Sequence, residues 1–188
     1  MGNPEFAVPS LKKIIESEYS LLAVVSNPAK PTGRKKAEKI IKVGEFAKRQ
    51  CIPLFQPQIL DDPEFLAEMN TLNPDYFLVV AFKILPVPLL DIPKKGSINL
   101  HASLLPKYRG ASPIQYALLN GDKVTGLTTF YINETIDEGD IIYQLEYKIS
   151  DTITFNTLSD VTYSDCKITV TDSLGNLKWT PSQGQFLS

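Results

Sequence analysis

The chain has 188 residues, 43% of them hydrophobic and 21% charged, with a formal net charge of −2. That composition allows one sizeable core and at most a fragment of a second domain, and its near-neutral total argues against a general nucleic-acid coat. The longest apolar run, Tyr76–Phe82, falls well short of the ~20 residues a membrane-crossing helix needs, and no signal peptide is legible at the start. The two cysteines, Cys51 and Cys166, lie far apart and outside any CxxC spacing, so no disulfide framework or zinc site is expected and a reducing cytoplasm is.

In chain order, the opening Met1–Ser10 reads as a turn running into a helix over roughly Pro9–Ser17, with Pro9 where its missing N–H does no harm. No strand precedes it. Leu21–Val25 is a continuous apolar run, as expected of a strand buried on both faces. The next stretch, Asn27–Lys42, is broken by Pro28, Pro31 and Gly33 and carries Lys30, Arg34, Lys35, Lys36, Lys39 and Lys42 against only Glu38. Two readings are equally open for it: a solvated loop, or a phosphate-binding arm for nucleic acid. Val43–Gln50 and Asp61–Leu72 read as helices, the second with Asp62 ahead of Pro63 as its start signal. Tyr76–Phe82 is a strand, and Leu85–Leu90, interrupted by Pro86 and Pro88, is a short helix or irregular bridge.

Gly96–Gly110, GSINLHASLLPKYRG, is the centre of the chain. Ser97–His101 reads as a strand, so Asn99 and His101 share a face. The C-terminal edge of an open α/β sheet is where ligands collect. A lone histidine on an apolar strand is more often a packed core residue than a catalyst. Two facts lift the functional reading: His101 is the only histidine, and Ile136–Asp140 offers carboxylates on a tight turn downstream. Pro113–Asn120 reads as a helix, and Thr125–Ile132 with Ile141–Ile149 as a hairpin. Strand–helix alternation predicts a Rossmann-like α/β fold with a largely parallel sheet and flanking helices.

With these residues in view, the chain resembles the 10-formyltetrahydrofolate-dependent formyltransferase family. The resemblance rests on GNPEFAVPSL, KPTGR, INLHASLLPKYRGASPIQ and IDEGDII, over roughly the first 160 residues. The opening and the basic insert narrow it to the branch acting on methionyl-tRNA. It implies a catalytic trio of Asn99, His101 and Asp137, with no metal. It implies a folate site at Phe82, Ile84, Leu85, Ser103, Leu104, Leu105 and Pro106, and a tRNA-binding set of Phe6, Lys30, Arg34, Lys35, Lys36, Lys39 and Lys42. The co-substrate would be 10-formyltetrahydrofolate and the acceptor initiator methionyl-tRNA, used in translation initiation by a cytoplasmic, monomeric enzyme. A formyltransferase acting on a small amine, such as glycinamide ribonucleotide or an amino sugar, is the alternative; it would need the trio but not the basic arm.

The tail departs from this pattern. A helix starting near Thr152 ends after about one turn, and the text becomes strand-like at Tyr163–Thr171 and Leu177–Trp179. The expectation is a catalytic domain over 1–160, lacking the family's first strand and cut short in its closing helix. Residues 164–188 would be a fragment of a C-terminal, OB-like β-barrel domain. A break in the backbone is expected between Leu158 and Ser164.

Overall fold

A computed structural model describes residues 1–29, 41–150, 153–154 and 158, and the backbone alone of 31–32, 37–38, 166–170 and 177–181. After a 3-10 turn at Glu5–Ala7, the elements are α1 (Val8–Ile15), β1 (Val24–Val25), β2 (Pro31–Thr32), β3 (Ala37–Glu38), α2 (Lys42–Arg49), β4 (Leu54–Phe55), α3 (Pro63–Leu72) and β5 (Phe77–Val80). They continue with α4 (Val87–Leu90), β6 (Ser97–His101), α5 (Pro113–Leu119), β7 (Val124–Tyr131), β8 (Ile141–Lys148), β9 (Cys166–Val170) and β10 (Leu177–Pro181).

One sheet organises most of them. β5, β6, β7 and β8 are neighbours in that order, β5 and β6 parallel and the last two pairings antiparallel. On the other side β1 and β4 pair in parallel. Met1–Gly2 joins the two groups: the N–H of Gly2 donates to Val25 O, the N–H of Val80 donates to Met1 O, and Gly2 bridges Val80 in parallel. The α-amine of Met1 donates to Leu78 O. Below these two residues, at the starting edge of the parallel strands, lies a cavity of about 420 Å³ bordered by Ser10, Leu11, Tyr19, Val24, Tyr76 and Leu78. Among the described residues, the hydroxyls of Ser10, Tyr19 and Tyr76 have no hydrogen-bond partner.

Alternation along the strands divides the core. Val24, Val80, Ile98 and Leu100 pack with Ala7 and Leu11 near α1, with Val43 and Ala47 of α2 and with Ile114 of α5. Val25, Phe77 and Val79 face the other way, onto Phe65 and Met69 of α3, Leu85, and Leu89 of α4. Local chemistry sets the helix starts. The carboxylate of Asp62 accepts from the N–H groups of Glu64 and Phe65 at 3.0 and 3.2 Å, a side-chain cap on the first turn of α3. Pro63 and Pro113 occupy first-turn positions where no N–H is missed.

Leu158 is helical and fully buried in the first cluster. Most of the helix expected over Thr152–Leu158 lies outside the described residues, as does the expected break before Ser164. Among the described residues, β9 and β10 pair with each other, antiparallel. No helix among the described residues is long and apolar enough to cross a membrane.

Candidate functional site

Parallel strands β5 and β6 end at a common edge, and β7 brings its turn to the same place by running antiparallel to β6. Asn99 stands opposite Val79 and Phe130, and His101 opposite Thr128. With Ile98 and Leu100 committed to the α1 side, Asn99 and His101 face the α3–α4 side. Asn99 is half-buried, and no described residue hydrogen-bonds to its amide. His101 is buried, 7% exposed.

The chain leaving β6 folds back over this edge through a cis Leu105–Pro106 bond and holds the imidazole with main-chain atoms. His101 Nε2 lies 2.8 Å from Tyr108 O, and Nδ1 lies 3.5 Å from Asp137 Oδ2. A carbonyl only accepts, so Nε2 carries its hydrogen. A neutral ring would then turn the Nδ1 lone pair toward the carboxylate, whereas an imidazolium turns an N–H toward it.

Asp137, in the turn between β7 and β8, has φ of 52°, a left-handed conformation that a short polar side chain tolerates better than most. Its Oδ2 also accepts from the N–H of Gly110 at 2.7 Å. Arg109 completes the attachment: Nε donates to Asp137 O at 3.1 Å and Nη1 to Glu138 Oε1 at 2.6 Å. Three consecutive residues, Tyr108, Arg109 and Gly110, thus orient both members of the pair. Positive φ recurs here, at Ala81, Tyr108, Ser112 and Asp137, the kind of backbone that clusters at functional sites.

A family model described as formyl transferase matches residues 1–170. The chain belongs to the formyl transferase family. Among curated relatives, the methionyl-tRNA formyltransferase of Thermodesulfovibrio yellowstonii is 50% identical over 160 residues, covering 85% of this chain and 52% of the relative. That of Clostridioides difficile is 48% identical over 161 residues, covering 85% and 52%. The chain spans about half the length of the curated relatives it matches. The solved phosphoribosylglycinamide formyltransferase from Bacillus halodurans shares the fold, with a TM-score of 0.71 at 22% identity over 86% of this chain and 84% of that one.

Within this formyl transferase fold, the sequence-predicted residues separate into distinct environments. His101 and Asp137 meet, with Asn99 on the same face. Ser103 is fully buried and its hydroxyl donates to Lys107 O at 2.5 Å. Leu104 is half-buried against Gly126 of β7, Leu105 is buried and Pro106 exposed. Phe82, Ile84 and Leu85 do not form one wall: Leu85 lies in the second core cluster, Phe82 packs against that cluster, and Ile84 is 75% exposed. Phe6 packs against the first cluster, and Lys42 is exposed at the start of α2. The side chains of Lys30, Arg34, Lys35, Lys36 and Lys39 lie outside the described residues. The stretch that carries them leaves the ending edge of β1, where Asn27 N–H donates to Asn3 Oδ1 at 2.7 Å and Gln56 Nε2 donates to Asn27 O at 2.9 Å.

Sequence reasoning missed the contacts of Tyr108–Gly110 and of Thr128 and Gln144. The first act largely through the main chain, which leaves no residue-type signal; the second sit in a hairpin legible only as β-forming. Among the described residues, no group of three or more His, Cys, Asp or Glu side chains is gathered to hold a metal.

Proposed function

We propose that this chain carries the catalytic part of an enzyme that transfers the formyl group of 10-formyltetrahydrofolate to the amino group of initiator methionyl-tRNA, for translation initiation in the cytoplasm. The observation that carries this is the His101–Asp137 pair with Asn99 beside it at the ending edge of β6. The amino nitrogen bonds to the formyl carbon, the bond from that carbon to N10 of the folate breaks, and one proton passes from the amine to N10. Negative charge gathers on the formyl oxygen between those events. The unengaged amide of Asn99 is the available donor to it, and loss of one such donor costs about a hundredfold or more in rate. His101, when protonated, adds positive charge to the site. Asp137 keeps that charge in place and relays the amine proton through a water. The Ser103–Pro106 turn faces the folate, and the Lys30–Lys42 stretch meets tRNA phosphates at the same edge, a contact that weakens steeply with salt. Residues 164–188 belong, on this reading, to a C-terminal barrel domain, and the enzyme acts as a monomer.

Two supports distinguish methionyl-tRNA from a small amine: the basic stretch, and the 45–50% identity to relatives named for that acceptor. The test offers the chain 10-formyltetrahydrofolate with methionyl-tRNA, glycinamide ribonucleotide, an amino sugar, or water alone. Transfer to methionyl-tRNA, abolished in His101→Ala with folate affinity retained, is the expected result. Preferred transfer to glycinamide ribonucleotide or the amino sugar would establish the small-amine reading instead, and turnover in His101→Ala near that of the parent chain would refute the mechanism.

A further inference from the structure

β6, β7 and β8 carry a cross-strand row that ends in the site. His101 is opposite Thr128, and Thr128 is opposite Gln144, so all three side chains rise on one face of the sheet. The Ser103–Leu105 turn folds back over the last two. The Thr128 hydroxyl, on a residue with no exposed surface, donates to Ser103 O at 2.6 Å and accepts from Leu105 N–H at 3.1 Å. Gln144 Nε2 donates to Thr128 Oγ1 at 3.0 Å and to Leu105 O at 2.8 Å. One donor and two acceptors uncover a threonine hydroxyl's whole capacity, and all of it is used. Three main-chain groups of the turn are therefore satisfied by side chains from strands 23 to 39 residues away, not by the turn itself.

From this geometry we infer that Thr128 and Gln144 are positioning residues for the folate co-substrate: they set the shape of the turn that meets it without touching it. The inference rests on the function proposed above. It assigns to the antiparallel hairpin a second task besides supplying Asp137. A hydroxyl spent only on holding β7 to β8 would bond across the strands, yet this one bonds to the turn on two of its three contacts. The binding surface is thus specified by polar side chains behind it, while the side chains of Ser103 and Leu105 point inward.

The test measures tetrahydrofolate binding to the whole chain by calorimetry, together with steady-state kinetics. Thr128→Val keeps the volume but leaves Ser103 O and Leu105 N–H unpaired. It is expected to weaken tetrahydrofolate about tenfold and to raise the folate KM by a similar factor, the scale of one lost buried hydrogen bond. The KM for methionyl-tRNA should stay within about twofold and kcat within about threefold, since His101 and Asp137 keep their own partners. Thr128→Ser should restore binding. Should Thr128→Val fail to fold, Gln144→Leu serves: the residue is exposed on β8, only the carbonyl of Leu105 and one Thr128 bond are lost, and a threefold weakening is expected, about 0.7 kcal/mol. Parent-like folate binding in folded Thr128→Val or Gln144→Leu would overturn the inference alone. No folate binding by the parent chain would overturn the function on which it rests, and the inference with it.

Discussion

The β7–β8 end of the four-stranded sheet and the β1–β4 pair joined to it through Met1–Gly2 are built to different tolerances. At the β7–β8 end, two eight-residue strands pair along their length, and a methyl group at Gly126 would stand 2.0 Å from Leu145 O and 2.5 Å from the side chain of Leu104. At the β1 end, β1 and β4 are strands of two residues beside Met1–Gly2, with a cavity of about 420 Å³ below and three hydroxyls that have no partner among the described residues. The site sits on the tight side, toward the middle of the four-stranded sheet. The difference teaches where precision is needed: the hairpin holds the turn and the carboxylate in place, whereas the starting edge beside β1 tolerates unfilled space.

Filling space should therefore be costly at one end and harmless at the other. Gly126→Ala puts a carbon into main-chain oxygen and is expected to destabilise the chain by about 3 kcal/mol, read as a lower urea midpoint. A change within experimental error would mean that the hairpin is looser than its contacts imply. At the opposite end the Met1 amine is pushed down to about 5 by burial, from an ordinary value near 8. Between pH 5 and 8 the unfolded chain binds a proton there that the folded chain does not, so this group makes stability rise with pH across that window and adds no slope outside it. The urea midpoint should be higher at pH 8.5 than at pH 5.5, and acetylating the amine should remove that part of the difference. An unchanged slope after acetylation would place the amine in solvent. The smallest effect belongs to Ser10→Ala, which removes one of the unpartnered hydroxyls; stability should stay level or rise by up to about 1 kcal/mol. A loss of that size would reveal a partner for the hydroxyl, such as bound water in the cavity.

Legibility in the sequence followed the same division. Ser97–His101 was readable to the residue, because an apolar run between Gly96 and a turn has few alternatives. Asp62–Pro63 and Ser112–Pro113 marked helix starts for the same local reason. Leu21–Val25 read as a five-residue strand, but only Val24–Val25 pair; Leu21–Ala23 border the cavity, where no neighbouring strand supplies hydrogen bonds. At the site, residue chemistry singled out Asn99, His101 and a turn bearing carboxylates, and the resemblance picked Asp137 from that turn. It gave no account of Thr128 and Gln144, whose part depends on a register that joins three strands. Phe82, Ile84 and Leu85 looked alike in sequence, but Leu85 lies in the second cluster with Phe82 packed against it, whereas Ile84 is exposed. The resemblance carried the family assignment further than spacing alone, since a shared strand face fits many unrelated active sites.

The groups that grip the catalytic pair are mostly not side chains at all. His101 leans on the carbonyl of Tyr108, Asp137 accepts from the N–H of Gly110, and only Arg109 reaches across with a side chain, toward the Asp137 carbonyl and Glu138. At 108 every amino acid brings the same carbonyl, so the constraint there falls on the left-handed torsion, φ 56°, and on the Tyr108 hydroxyl's bond to Asp122, not on the acceptor itself. At 110 the constraint is a torsion, not a volume: φ is 84° and nothing stands within 4 Å of an added methyl, so replacements there are strained without being crowded. Mutational drift in this loop is filtered through the path of its backbone, and the orientation of the imidazole is inherited as a shape more than as a set of letters.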